Sequence, residues 1–428
     1  MNFLIKLIKK TYNMAHPTDR KIVLSNAASL SLLQVITYIV PVIIAPYLFR
    51  VLGPEKFGLI AFAQAFIQYF MILTDYGFSI TATKEISLCQ NQHTKICHAF
   101  SSVMIVKVAL TFLSFLMIGA IVYFIPRFRN DWLVYLFSAG AIVGNTIFPV
   151  WFFQGTEKMK YITYLNISGG VILAFFIFYF VKSPRDYLMV PLINSSVSLI
   201  TGVMALYIVF RRFRVVFIFR GYKSVRQQLK AGWDIFISIA AINAYTTTRV
   251  FILGLLTNNT VTGFYSIAER IANACQTFPL TSFSQAIFPR LSQIFRNNKA
   301  KAFKLMQHIQ EITNIVSLIC LPIIYAFAEP IVRIICGKAY LESVITLRLL
   351  LISVFFVAVN AFRVQFLLVC GKTYIYSRIH VIMAMIGLPI IFLLIYSFSY
   401  TGAAIATIAI EAGISGITYY TIKKLNFS

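Results

Sequence analysis

Apolar residues in this chain neither alternate as in strands nor keep to one face of a helix. They run on in long blocks separated by short basic strips. Twelve such blocks are read, at 25–50, 57–79, 99–124, 132–153, 161–181, 187–210, 233–256, 262–288, 308–328, 344–370, 376–398 and 401–420. At about 1.5 Å of rise per residue, each is long enough to cross about 30 Å of hydrocarbon. The pattern predicts an all-α polytopic membrane protein with about twelve transmembrane helices. Prolines at 41, 46, 149, 191, 279, 322 and 389 fall inside these blocks and predict kinks, which membrane helices tolerate when neighbours satisfy the freed carbonyls.

The polar strips set the orientation. With the N-terminus inside, the cytoplasmic strips hold 25 lysines and arginines and the outer loops 9; the other four of the 38 (Lys107, Arg249, Arg270 and Arg363) lie within spans. An excess that alternates with every span is the positive-inside signal. Both termini are therefore expected in the cytoplasm of a multi-pass inner-membrane protein. The opening MNFLIKLIKK is too short for a secretory signal and reads as a basic amphipathic segment on the cytoplasmic surface, or as a disordered basic tail. Composition agrees, with 59% hydrophobic and 12% charged residues. The net charge of +25 would suit nucleic acid on a soluble protein. Here it lies in strips between spans, where it sets topology and meets anionic headgroups, so membrane lipids and not nucleic acid are the expected partners.

The richest cytoplasmic strip, Arg211 to Lys230, divides the spans six and six. Two units are expected, 1–215 and 216–428. A short repeat supports them: GLIAFAQ at Gly58–Gln64 matches GFYSIAE at Gly263–Glu269, each opening the second span of its half. An even number of spans per half makes such repeats parallel, related by a pseudo-twofold axis along the membrane normal.

Chemistry has few carriers. Phosphate-loop, zinc-protease and dinucleotide signatures are absent, the five histidines suggest no catalytic cluster, and the six cysteines suggest neither a disulfide framework nor a zinc site. No cofactor or metal is expected, and a transporter is read rather than an enzyme. The intramembrane charges remain. Arg249 lies eight residues before Thr257, and Arg270 eight after Thr262. Both guanidiniums therefore start roughly 12 Å below one membrane face, on helices joined by the uncharged turn Thr257–Thr260. Buried arginines are costly in hydrocarbon and mark functional sites by default. They are expected to line a cavity for an anionic substrate, the alternative being an ion pair with Glu269 that locks the two helices. Lys107 and Arg363 are close enough to inner span ends to snorkel. Across the spans, four cations oppose Glu269 and Glu411, a surplus of two. Asp75 reads as a helix cap or gate contact, and mid-span Glu411, among Ala412, Gly413 and Gly416, as a close-packing position or a proton carrier.

The run PYLFRVLGPEKFGLIAFAQAFIQYFMILTDYGFS, Pro46 to Ser79, carries a family resemblance. Its R-x-L-G-x-x-x-[FY]-G element (Arg50, Leu52, Gly53, Phe57, Gly58) and acid-aromatic-Gly-Phe element (Asp75 to Phe78) resemble the polysaccharide transporter branch of the multidrug/oligosaccharidyl-lipid/polysaccharide (MOP) exporter superfamily, the Wzx-type O-antigen flippases. PVWFFQGTEKMKYI, with Gln154 and Gly155, is also similar. The resemblance implies two six-helix bundles in a V. It also implies transfer of an undecaprenyl-diphosphate-linked oligosaccharide from the cytoplasmic to the periplasmic leaflet, with coupling to a H+ or Na+ gradient and other polysaccharide assembly proteins as partners. Related peptidoglycan-precursor flippases use arginines early in their first two spans. Asn26 and Gln34 stand in that part of the first span here, so that arginine set does not carry over. The diphosphate is assigned instead to Arg249, Arg270, Lys107 and Arg363. Candidate glycan contacts are Gln64, Gln68, Asn145, Asn243, Tyr245, Asn273 and Gln276, each of which could equally be a helix-packing contact, with Asp75, Glu269 and Glu411 as gating or coupling residues.

Three other readings compete. A drug exporter of the same superfamily would hold cationic drugs on buried acids. A membrane O-antigen polymerase would carry a large periplasmic loop, and none of the expected outer loops exceeds about fifteen residues. A scaffold for polysaccharide assembly would need no cationic cavity. The topology has a direct check: a cysteine introduced at Lys223 should react only with reagents that reach the cytoplasm, and periplasmic labelling would overturn the assignment.

Overall fold

The computed structural model describes residues 17–89, 92–218, 221–338 and 340–425, with side chains from residue 40 onward except at 277–279, 281–286, 288–290 and 293. The N-terminal MNFLIKLIKK lies outside the described residues, as do the side chains of Asn26 and Gln34. The chain is almost wholly helical. In order, the helices are α1 Pro17–Asp75, α2 Phe78–Leu88, α3 His93–Phe124, α4 Pro126–Arg129, α5 Trp132–Ile147, α6 Val150–Gly155, α7 Lys160–Phe180, α8 Met189–Arg212, α9 Tyr222–Thr246, α10 Thr248–Leu256, α11 Asn259–Asn297, α12 Lys299–Ala326, α13 Ala328–Cys336, α14 Leu341–Val369 and α15 Thr373–Lys424.

Among the described residues, eight helices are long and apolar enough to cross a membrane, and α9 with α10, bent by 48°, makes a ninth. The longest helices hide further breaks. Gly53 (φ 74°) interrupts α1 and Ser399 (φ 55°) interrupts α15. Dividing both helices there and adding α11 gives twelve segments, which fall on the twelve expected stretches. Proline predicted the break points unevenly. The helices run on through Pro41, Pro46, Pro322 and Pro389, whereas the chain breaks between α5 and α6 at Pro149. The α9–α10 bend, at Thr247, has no proline at all. α11 also extends nine residues past the expected end at 288, carrying the span into the basic strip.

Caps set several helix starts. The Asn258 side chain accepts a hydrogen bond from the Val261 amide (2.9 Å) and starts α11, and Asn298 does the same for Lys301 (2.8 Å) and α12. Each satisfies a backbone donor that has no partner inside the helix. Large apolar side chains such as Phe112, Phe175, Leu318, Met385 and Tyr396 are exposed along α3, α7, α12 and α15, as expected of helices solvated by lipid.

α1 and α11 approach each other closely at two glycines. A β-carbon on Gly58 would collide with the Asn259 carbonyl and the Gly263 amide, and one on Gly263 would collide with the Pro54 carbonyl. These glycines are the matched first residues of the sequence repeat, and they meet with the two helices running in the same direction. At the opposite end of α1, Tyr76 (φ 44°) and Gly77 (φ 77°) turn the chain into α2. The Tyr76 ring stacks on Phe236 of α9 (4.9 Å, 12°), while Gly77 abuts Ile235 and Gly232 abuts Tyr76.

The crossing has a measurable consequence. Overpacking a close contact costs about 1–3 kcal/mol, so Gly58→Ala and Gly263→Ala should each lower the melting temperature of the purified protein. Gly416→Ala, with nothing within 4 Å of the added carbon, should leave it unchanged.

Candidate functional site

Beyond the Gly58–Gly263 crossing, α1 and α11 part and frame a cavity of about 360 Å³, closed by α9, α10, α14 and α15. Arg249, Arg270, Glu269, Glu411, Asn273, Gln276, Thr246, Ser266 and Thr407 are among its lining residues. The bend at Thr247 brings Arg249 in, because it starts α10 on a new axis. The expected matched depth of Arg249 and Arg270 thus becomes a shared cavity.

The two arginines are held differently. Arg249 forms an ion pair with Glu269 (3.5 Å), donates to the Thr407 hydroxyl (2.7 Å) and reaches the Thr246 carbonyl (3.3 Å). Arg270 donates to the Gln64 side-chain oxygen (2.9 Å) and lies over the Phe57 ring at 5.5 Å. Among the described residues it has no carboxylate within ion-pair distance. The acid next to it in sequence therefore serves the other arginine. Arg270 also lines a second, mostly apolar cavity of about 230 Å³ with Phe57, Gln64, Leu173 and Asn194.

The charge surplus read along the spans does not gather here. Two arginines and two glutamates line the central cavity, and the other two cations lie elsewhere. Lys107 is 1% exposed and pairs with Asp75 at 3.6 Å, with its ammonium 3.5 Å from the Asn145 carbonyl. It does not snorkel, since a carboxylate at the end of α1 is within reach. Arg363 stands over Tyr419 at 4.9 Å beside a separate cavity. Asn243 donates to the Ile239 carbonyl of its own helix (2.9 Å), and Tyr245 bonds to His380 (2.8 Å). Neither these two nor Gln68 and Asn145 line the central cavity, whereas Asn273 and Gln276 do.

Sequence reading passed over Thr407, Ser266 and Phe57. Thr407 lies one turn before Glu411, a spacing that puts both on one helix face, and Phe57 sits inside the quoted motif. Ser266 gave no signal. Its buried hydroxyl has no hydrogen-bond partner among the described residues.

The motif residues have structural roles around this site. Arg50 donates to the carbonyls of Ile335 (2.9 Å) and Ile334 at the C-terminal end of α13, where a guanidinium is favoured by the helix dipole. Gly53 supplies the break, Phe57 lies under Arg270, and Gly58 makes the crossing. Asp75 holds Lys107, and Gly155 of α6 packs on Ile86 and the Thr83 carbonyl of α2.

The profile of the polysaccharide biosynthesis protein family matches residues 23–295. A protein of Escherichia coli (strain K12), named as an O-antigen transporter, is 30% identical over 400 residues, covering 93% of this chain and 96% of that one. This chain belongs to the polysaccharide biosynthesis protein family. A second relative with that name, from Shigella dysenteriae, is 28% identical over 392 residues, covering 90% of this chain and 96% of its own. Among solved structures, the inward-facing conformation of a MATE family transporter of the MOP superfamily superposes with a TM-score of 0.72 at 12% identity, covering 93% and 97% of the two chains. The lipid II flippase MurJ in its inward closed conformation gives 0.73 at 10% identity, covering 92% and 87%. At these identities the likeness concerns the fold, which is that of a MOP-type polytopic membrane protein.

In this family member, the Arg249–Glu269 pair is nearly enclosed, with side chains 11% and 17% exposed. Removing one partner of such a pair leaves an uncompensated charge and costs about 3–5 kcal/mol. Glu269→Gln should therefore lower the melting temperature sharply. Replacing both residues, as Arg249→Met with Glu269→Gln, should recover much of the loss.

Proposed function

We propose that this protein is a flippase for an undecaprenyl-diphosphate-linked oligosaccharide, the repeat unit of an O-antigen or related surface polysaccharide. In this proposal it moves the unit from the cytoplasmic to the periplasmic leaflet of the bacterial inner membrane by alternating access. Family membership and the names of the relatives support the substrate class. The observation that carries the reading is Arg270, a guanidinium at a polar cavity held by a neutral amide and an aromatic ring rather than a carboxylate. A guanidinium keeps its charge when buried and binds phosphate through two parallel hydrogen bonds. Ser266, Asn273 and Gln276 offer neutral hydrogen-bonding groups for a sugar in the same cavity. The polyprenyl tail can stay in lipid throughout.

The cavity's two glutamates sharpen the proposal. Glu269 is committed to Arg249, while Glu411 has no ion-pair partner among the described residues. With Glu411 ionised, the two acids balance the two arginines; with it protonated, the lining carries one net positive charge. Proton uptake at Glu411 would thus favour binding of the diphosphate, and this is the coupling proposed here. A Na+ gradient acting on the same carboxylate is the variant of that step. Glu411 also favours a second reading, export of organic cations.

Transport of a labelled lipid-linked glycan across proteoliposomes tests both readings. A lost charge-assisted hydrogen bond is worth about 1.5–3 kcal/mol, so Arg270→Ala should slow transport about tenfold or more, and Arg270→Lys should recover part of it. Arg249→Met with Glu269→Gln should cost less transport than Arg270→Ala, because the two groups removed neutralise each other. Glu411→Gln should flatten the pH dependence of transport without lowering protein levels. Export of a cationic dye that survives Arg270→Ala but not Glu411→Gln, with no glycan movement, would favour the second reading.

A further inference from the structure

We propose that a second site, separate from the central cavity, binds the headgroup phosphate of an anionic membrane phospholipid against Arg363 and Lys423. The site is a cavity of about 250 Å³ between α12, α14 and α15, and it shares no lining residue with the central one. Four observations converge on it.

Arg363 is uncommitted. Among the described residues it has no hydrogen-bond or ion-pair partner, and its guanidinium stacks over Tyr419 at 4.9 Å. Stacking fixes the plane of the group and leaves its N–H edge free for an oxyanion. The backbone beside it is also fixed. Gln310, 3% exposed, donates to the Ala358 carbonyl (2.9 Å) and accepts from the Phe362 amide (3.1 Å), clamping the turn of α14 that precedes Arg363. Gln310 donates as well to the Asn314 side-chain oxygen (2.8 Å), which leaves the Asn314 amide hydrogens free as donors in the same cavity.

Charge matches a phosphodiester. Arg363 and Lys423 oppose Glu311, so the lining carries one net positive charge against the single negative charge of a diester. The surroundings match a lipid rather than a free anion. Lys299, Lys301, Lys304, Lys372 and Lys424 are exposed at the same end of these helices, as expected of a face that meets an anionic leaflet. One and two turns along α12 from Glu311, Ile315 and Leu318 are 59% and 65% exposed, a track for acyl chains leaving the polar cavity.

The test is lipid-dependent melting of purified protein in nanodiscs of phosphatidylcholine, with and without phosphatidylglycerol. Inorganic phosphate and undecaprenyl phosphate serve as separate arms. Phosphatidylglycerol should raise the melting temperature of the wild type and of Arg270→Ala alike. Arg363→Gln should raise the phosphatidylglycerol content needed for half of that response about tenfold or more, the loss expected for one charge-assisted contact. Lys423→Gln, at an exposed helix end, provides the same test should Arg363→Gln fail to fold. Equal stabilisation by phosphatidylcholine alone, stabilisation by inorganic phosphate, preference for undecaprenyl phosphate, or an unchanged response in the folded variants would overturn the proposal.

Discussion

The approach of α1 and α11 at Gly58 and Gly263 is the constraint on which the central cavity depends. Two helices can come this close only where neither carries a β-carbon, since the groups in the way are backbone carbonyls and an amide that cannot rotate aside. Membrane helices associate largely through such small-residue packing, because lipid supplies little hydrophobic drive between them. Six or seven residues further on, about 10 Å along both axes, Gln64 and Arg270 face each other at 2.9 Å. The crossing thus sets where the guanidinium sits and which neutral group holds it.

Each intramembrane cation meets a different answer, and the differences separate their roles. Lys107 and Arg249 are met by carboxylates, Asp75 and Glu269, in settings where an unpaired charge would be expensive. Arg270 and Arg363 are met by neutral amide or aromatic surfaces, Gln64 and Phe57 for one and Tyr419 for the other. Such contacts orient a guanidinium without neutralising it. Arg270 and Arg363 are therefore the two with no carboxylate in direct contact among the described residues, although acids line both of their cavities. Those cavities are separate, so the positive charge counted along the sequence is distributed rather than pooled.

How much of this was legible follows from how local each feature is. The spans were readable because crossing hydrocarbon requires a long apolar run, which is one-dimensional information. The quoted motifs were readable as patterns, and the structure supplies their physics: Gly53 adopts φ 74°, Gly58 lacks a colliding carbon, and Arg50 meets the end of α13. Partner choice was not readable. Glu269 and Arg270 are adjacent in sequence, but consecutive helix positions point about 100° apart, and the acid turns to Arg249 instead. Nor was the α9–α10 bend visible, since Thr246, Thr247 and Thr248 give no proline or glycine signal. Asn243 shows the converse limit, because a polar side chain in a span can as well bond a carbonyl of its own helix as line a cavity.

The two ends of the α1 axis differ in a way that bears on how such a bundle could open. Near the Thr257–Thr260 turn, the first half meets the second through glycine against backbone, with few polar bonds beyond Arg127 to Asn259 (3.2 Å) and Arg50 to α13. At the other end, α9 meets α1, α2 and α3 through a stacked ring pair, the Glu85–Gln228 hydrogen bond (2.8 Å) and the Ser102–Ser224 hydrogen bond (2.7 Å). Separating the glycine contact itself forfeits dispersion but strands no donor or acceptor, and the Arg127 and Arg50 bonds beside it lie near the turn, where water can replace them. Separating the other end frees serines, an amide and a carboxylate, which water at the basic face can solvate. In the proposed alternating access, each end would open toward water. The packed crossing and the hydrogen-bonded end would then be opposed closures, with the Arg270 cavity between them.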